Sequence, residues 1–336
     1  MSRIFTHRYE VLRRHVDAHL ARLVKPAPPE TLREACRYVL TTGGKRLRAV
    51  LVLLCSEAAG GTARAALPAA AAVEIMHNFT LVHDDVMDHA PSRRGVPTVH
   101  VKWDLNSAIL AGDTLVALAY EELLRTRHDD LPTLVRLLTR GVHDVCEGQA
   151  MDLAFERRNN VTVAQYFDMI ARKTGRLITT STELGARIGG GSPPTVRALR
   201  AFGAYLGRAF QLQDDLLDVV GDERQFGKTI GGDIVEGKRT YLLLTALERS
   251  RGSDRRLLEE VLRRKTTPPR PLSAAGRRRL VRTVRAVYEH HAVIDATRDL
   301  VAANTRRALH ALDAVPDSAA TAMLRWLSSS LVDRAS

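Results

Sequence analysis

ALRAFGAYLGRAFQLQDDLLDVV, residues 198–220, sets apolar side chains at Leu199, Phe202, Leu206, Ala209, Leu212 and Leu216, in steps of three and four throughout. That is the period of an amphipathic helix. Ala164–Ile188 repeats the pattern. Breaker clusters cut the rest of the chain into similar pieces: KPAPPE at 25–30, GGT at 60–62, APSRRGVP at 90–97, GGGSPP at 189–194 and TTPPRP at 266–271. No stretch sustains a period of two, no Gly-rich strand-turn-helix unit occurs, and no repeat has a fixed length. The expected architecture is an all-α bundle of ten or more helices in a single domain spanning 1–336.

Composition agrees. Hydrophobic residues make up 45% of the 336 positions and aromatics only 5%. Ala and Leu lead the apolar set, and both favour helix. Cys36, Cys55 and Cys146 lie far apart, with no CxxC pair, which suits a reducing compartment. MSRIFTHRYE at the start has no apolar core of the signal-peptide kind. The longest unbroken apolar stretches, such as AVLVLLC at 49–55, are far too short to span a bilayer. A soluble, cytoplasmic protein is expected.

The net charge of +12 raises the question of nucleic acid. Residues 251–285 alone hold twelve Arg or Lys against three acids, a local +9, leaving about +3 elsewhere. Aromatics do not interleave with that segment, so a nucleic-acid partner is not expected. It reads as a solvated helical face, with attraction to an anionic membrane surface as the alternative. Only seven of the fifty basic residues are Lys: 25, 45, 102, 173, 228, 238 and 265. Four of them fall in the short motifs below.

Two acidic clusters stand out from apolar surroundings. IMHNFTLVHDDVMD, residues 75–88, places Asp84 and Asp88 one helical turn apart on one face. QLQDDLLD, residues 211–218, places Asp214 and Asp218 in the same way, with Gln211 one turn before Asp214. Like charges at that spacing destabilise a helix, so each pair calls for a cation. Hard oxygen ligands point to Mg²⁺, which binds one or two carboxylates and keeps its remaining sites for water or phosphate. Two or three such ions bridging to a diphosphate would balance the charge. Cationic residues complete the set. GGKRLR at 43–48 offers Lys45, Arg46 and Arg48, and Arg93-Arg94 follows the first cluster by one loop. Lys173-Thr174, Lys228-Thr229 and Lys238-Arg239 follow later. Taken singly, each is an ordinary surface charge; together with the carboxylates they describe a phosphate site.

GGKRLR, HNFTLVHDDVMD, SRRG, RKTG, QLQDDLLD, GKT and GGDIVEGK, in that order between about residues 30 and 245, resemble the motifs of the trans-isoprenyl diphosphate synthases, or polyprenyl synthetases. The last ninety residues match no motif. The resemblance implies helices around a deep central cavity. It also implies head-to-tail condensation of isopentenyl diphosphate with an allylic diphosphate by a homodimeric enzyme. By the same resemblance, Lys45, Arg48, His77 and Arg94 hold isopentenyl diphosphate. Asp84, Asp88 and Asp214 carry Mg²⁺ to the allylic diphosphate, while Asp85 and Asp218 reach the metal directly or through its waters. Arg93, Lys173, Lys228 and Lys238 contact the allylic diphosphate, and Lys173, Thr174 and Gln211 lie near the reacting carbons. Without its motif, His77 would read as a helix-core histidine.

Phe79 and Thr80, five and four residues before Asp84, match family positions that form the floor of the product pocket. With no insertion between Asp85 and Asp88, the resemblance points to a product near geranylgeranyl diphosphate, with farnesyl or slightly longer products as the alternatives. Helix geometry puts Thr80 directly one turn below Asp84 and Phe79 about 140° around it. A class I terpene cyclase would share the fold and the first cluster, yet usually carries an Asn/Ser/Glu second metal motif and no isopentenyl site. A non-catalytic synthase subunit typically loses one Asp cluster; both are intact here.

Overall fold

The computed structural model describes residues 2–25, 29–221, 230–266 and 272–332. Ten helices run as far as the second acidic cluster: α1 (Ser2–Leu23), α2 (Glu30–Thr41), α3 (Leu47–Ala58), α4 (Ala63–Met87), α5 (Val99–Lys102), α6 (Leu105–Leu124), α7 (Leu131–Glu156), α8 (Val163–Ile170), α9 (Arg176–Ile188) and α10 (Pro193–Val220). Helices over Gly232–Glu236, Tyr241–Arg249, Gly252–Thr266, Ala274–His290, Val293–Ala311 and Ala319–Val332 follow. The fold is all-α, as the periodicity predicts. Among the described residues the only sheet is a hairpin pairing Ser92 with Pro97 and Arg93 with Val96.

The chain divides into two compact units. The first comprises Met1–Val142, Leu177–Gly203 and Ala311–Trp326. Its centre is α4, which packs on both α3 and α6. Thr62 starts α4 by accepting a hydrogen bond from the Ala65 N–H at 3.2 Å, the usual N-cap arrangement. Ala66 and Ala69, Ala70, Ala71 and Ala72 are fully buried, and their small side chains let neighbouring helices approach closely. Averaged over a window rather than read as an unbroken run, α4 is long and apolar enough to cross a membrane; 67% of that window is buried in the fold. It is a core helix that ends on the first acidic cluster.

Close contact between α3 and α9 depends on Gly185. A methyl group there would come within 2.3 Å of the Val52 carbonyl oxygen and 2.8 Å of Cys55 Cβ. Overpacking of that kind costs about 1–3 kcal/mol.

The second unit comprises His143–Arg176, Ala204–His310 and Leu327–Ser336. One apolar cluster gathers Leu216 and Val219 of α10 with Ile234, Leu242, Leu258, Val284 and Tyr288 of the later helices. Another joins Phe155, Tyr166, Met169, Leu212, Tyr241 and Val301. Between them these clusters fix the C-terminal half of α10, and with it the second acidic motif.

The helical run 164–188 is continuous but not uniform. At Ala171–Gly175 it widens into a single π-helical turn carrying Lys173 and Thr174. Such turns are rare and mark functional positions. Two close approaches hold this one. A methyl on Gly148 of α7 would lie 2.3 Å from the Lys173 nitrogen, and one on Gly207 of α10 would lie 2.7 Å from Gly175 Cα.

Candidate active site

In the first unit the GGKRLR stretch is a strained loop. Gly43, Gly44 and Arg46 all have positive φ, 85°, 137° and 51°. Arg46 is 2% exposed and turned into the protein. Its guanidinium donates to Asp17 at 2.8 Å, to Glu74 at 3.1 Å and to the Leu40 carbonyl at 2.5 Å. Of the three cations that the motif offers, this one is structural. Its bonds hold the left-handed conformation that a bulky residue otherwise resists. Lys45, on one side of it, is exposed, and its carbonyl accepts from the Tyr9 hydroxyl at 2.5 Å.

Arg48, on the other side, donates from Nη1 to His77 Nε2 at 3.2 Å. Burial holds the His77 pKa well below its usual value, and the charges of Arg48, Arg94, Arg93 and Arg46 push it the same way. The ring is therefore neutral near pH 7, with Nε2 accepting and the proton on Nδ1. Burial also lowers Arg48, to about 10. Its buried Nε has no hydrogen-bond partner among the described residues. A buried, unpaired guanidinium N–H costs about 1–3 kcal/mol, which an anionic ligand would recover.

The hairpin presents the remaining pair. Arg94 (φ 54°) and Gly95 (φ 79°) form its tip, the two left-handed positions that a type I′ turn needs. The Arg94 guanidinium donates to the Gly43 carbonyl and lies over Gly44, where a methyl would come within 2.9 Å of it. Arg93 donates to Asp85 Oδ1 at 2.7 Å. Asp85 is buried; burial raises its pKa while Arg93 pulls it back down. Asp84 is half-buried and Asp88 exposed. Asp88 is the C-cap of α4, its N–H bonded to the Asp84 carbonyl at 2.8 Å. Phe79 is buried and meets His83 edge-on, ring centres 4.9 Å apart. His83 in turn rests on Gly112 of α6, where a methyl would strike the ring at 2.1 Å. The Thr80 hydroxyl donates back to the His77 carbonyl at 2.8 Å.

In the second unit a cavity of about 160 Å³ gathers Lys173, Thr174, Gln211, Asp214, Asp218 and Lys238. Lys228 lies outside the described residues. Four residues that the sequence left unassigned also line the cavity: Asp152, Tyr166, Asp215 and Asp233. The Lys173 ammonium pairs with Asp152 at 2.5 Å, and Lys238 pairs with Asp233 at 3.1 Å. Asp233 holds the Lys238 pKa above its usual value. Asp218 Oδ2 accepts from the Asp233 N–H at 3.0 Å, which ties it to the start of the helix Gly232–Glu236.

A chain of hydrogen bonds sets the polar wall. The Tyr166 hydroxyl donates to Asp215 Oδ2 at 2.6 Å, and Gln211 Nε2 donates to Asp215 Oδ1 at 2.8 Å. The Thr174 hydroxyl then donates to Gln211 Oε1 at 2.7 Å. Asp215 thus accepts two bonds and fixes which way the Gln211 amide points.

The donor set suits a hard divalent cation. Burial, then the charge of Asp233, raises Asp215 to about 8 and Asp218 to about 6. Five carboxylates share the cavity with Lys173, Lys238 and Arg239, and Arg239 is spent on the Gly237 and Arg158 carbonyls. Both acidic motifs also sit near helix C-termini, where unpaired carbonyls add partial negative charge. Oxygen ligands without nitrogen or sulfur match Mg²⁺.

Residues 29–276 match the polyprenyl synthetase family. The chain belongs to that family. It is similar to the short chain isoprenyl diphosphate synthase of Methanothermobacter thermautotrophicus, 37% identical over 97% of this chain and 98% of that one. It is also similar to the geranylgeranyl diphosphate synthase of Methanosarcina mazei, 43% identical over 70% of this chain and 73% of that one. Among solved structures, the geranylgeranyl pyrophosphate synthetase of Pyrococcus horikoshii superposes with a TM-score of 0.90 at 33% identity, over 99% of this chain and 98% of that one. The protein is a prenyltransferase with the all-α isoprenoid synthase fold.

Tyr166→Phe tests the hydrogen-bonded wall of this polyprenyl synthetase. Loss of one buried bond worth about 1.4 kcal/mol should lower kcat about tenfold. Both KM values should stay within about twofold, since Tyr166 acts through Asp215 and Gln211 rather than on a diphosphate. A raised KM with kcat unchanged would refute the assignment.

Proposed function

We propose that this enzyme joins isopentenyl diphosphate to an allylic diphosphate, head to tail, and releases an all-trans product near geranylgeranyl diphosphate. The observation that carries this reading is a pair of unlike diphosphate sites. One is cationic, with the unpaired Arg48 Nε beside neutral His77. The other mixes carboxylates with Lys173 and Lys238. Two diphosphate substrates, one held by protein cations and the other through metal, fit those two sets. The names of similar proteins, short chain isoprenyl and geranylgeranyl diphosphate synthases, support the substrate class and the product length.

In this reading Lys45, Arg48, His77 and Arg94 hold isopentenyl diphosphate, with Arg48 and Arg94 as planar forks on phosphate oxygens. Asp84, Asp88 and Asp214 would hold two or three Mg²⁺ ions, with Asp85 and Asp218 in support. When bound, those ions supply positive charge where the leaving diphosphate becomes negative. Arg93, Lys173, Lys228 and Lys238 hold the allylic diphosphate from the protein side. As its C–O bond breaks, the allylic carbon becomes cationic, and the hydroxyl oxygen of Thr174 and the amide oxygen of Gln211 stabilise it. The isopentenyl double bond attacks, and the proton lost from the new intermediate goes to the released diphosphate. Side chains that exclude water protect the cation from quenching. We treat the chain as one catalytic domain of a cytoplasmic enzyme.

Purified protein with Mg²⁺, isopentenyl diphosphate and dimethylallyl, geranyl or farnesyl diphosphate should give a longer prenyl diphosphate. Asp84→Ala should lower that turnover by at least about 100-fold while circular dichroism stays unchanged. Absence of elongation with every primer would refute the enzyme reading. A cyclic hydrocarbon in place of a longer diphosphate would favour a terpene cyclase.

We assign the product limit to Phe79, which packs against His83 of its own helix, a ring that rests in turn on Gly112 of α6. Phe79→Ala should shift products to longer chains by at least one five-carbon unit in mass spectrometry. An unchanged distribution would place the floor elsewhere.

We propose that the working form is a homodimer through α6. Leu105, Ile109 and Leu110 are 53%, 41% and 55% exposed on that helix; Leu105 and Ile109, one turn apart, share a side, and Leu110 adjoins Ile109. A contiguous apolar face of this kind is unusual on a monomer. Light scattering should give the mass of two chains for the native protein and of one for Leu110→Asp with Ile109→Asp. A monomeric native protein would overturn the assignment.

A further inference from the structure

The prenyl-transfer chemistry leaves the arginine-rich C-terminal region unexplained. The helix Ala274–His290 carries Arg277, Arg278, Arg279, Arg282 and Arg285, all exposed, and a single acid, Glu289. Arg285 pairs with Glu289 at 2.9 Å. Among the described residues, none of the other four has a carboxylate partner. Arg278, Arg282 and Arg285 stand at i, i+4 and i+7 and share one face. Like charges at those spacings destabilise the helix, and among the described residues only Arg285 has a carboxylate, Glu289, paired with it.

The surface beside this stripe is not simply polar. Arg277, Arg278, Arg282 and Arg285, with the one acid Glu289, line a groove together with Val219, Ile230 and Val281. Leu272, just before the helix, is 36% exposed. Cations around a groove of buried or partly buried aliphatic groups, with exposed Leu272 beside it, match an anionic bilayer, whose phosphates meet the guanidiniums while its upper acyl region meets Leu272 and the groove. Nucleic acid fits less well. It would want exposed aromatic rings for bases to stack on, and the one aromatic residue of the helix, Tyr288, is buried.

We propose that the Arg277–Arg285 face docks the enzyme on an anionic phospholipid membrane. Given the prenyl-transfer reading, the partner also makes chemical sense. A twenty-carbon diphosphate is an amphiphile, and an enzyme held at a bilayer can release it there instead of into water. Docking itself needs no substrate, so its test stands apart from any test of catalysis.

The protein is floated with vesicles of phosphatidylcholine alone and with vesicles containing about one third phosphatidylglycerol. Binding should appear only with the anionic vesicles and should weaken as salt rises from about 0.1 M to about 0.5 M. The triple variant Arg277→Gln, Arg278→Gln, Arg282→Gln should partition about 100-fold more weakly, at about 1 kcal/mol per arginine. The matching Arg→Lys triple variant should keep most of the binding, since the attraction is between charges. Both variants should elongate soluble substrates at the native rate, which also shows that they are folded. Failure of the native protein to bind anionic vesicles would overturn the proposal. So would equal binding by the Gln variant.

Discussion

Carboxylates at the C-terminal ends of two helices set the terms for the rest of this protein. A helix C-terminus is already negative, and it resists added acid. Yet α4 ends on Asp84, Asp85 and Asp88, and α10 carries Asp214, Asp215 and Asp218 near its end. In the second unit burial adds to the strain, raising Asp215 and Asp218 to about 8 and 6. Such groups are stable as anions only with cations close by. Lys173 and Lys238 answer part of that need, and in the proposed reading hard metal ions and a diphosphate would complete the balance.

The cationic set meets the converse problem, because arginines repel one another and lose hydration when buried. The protein divides their work. Arg46 is given wholly to Asp17, Glu74 and Leu40, so the loop around it is rigid. Arg48 then keeps a buried Nε–H without a partner among the described residues, and the pKa values of Arg48 and Arg94 both lie below the usual value. Neutral His77 fits this arrangement, because a charged imidazole there would add a further positive charge beside Arg48.

Much of this was legible in the chain. Apolar steps of three and four identified α10 and the run 164–188 as helices, and four-residue spacing put Asp84 with Asp88 and Asp214 with Asp218. Motif order then carried the family, which the match over residues 29–276 bears out. Less legible were residues that act through partners distant in sequence. Asp152 meets Lys173 across 21 positions, and Tyr166 meets Asp215 across 49. No local period links such pairs. Asp233 was in view within GGDIVEGK, but its role depends on Lys238 and Asp218, which only the fold brings to it.

The sequence by itself determined the helices, the two acid pairs and the kind of chemistry, because helical period and charge spacing are local properties. The tertiary structure decided how the individual members of each motif are used. Of three neighbouring cations in GGKRLR, Arg46 turns inward while Arg48 keeps a free N–H. Of two adjacent aspartates in QDDLLD, both of which line the cavity, Asp215 orients Gln211. The π-helical turn at 171–175 rests on Gly148 and Gly207, each from another helix. The physical reason is common to all three. A side chain's partner is set by packing between segments far apart in the chain, and spacing along one segment carries no record of it.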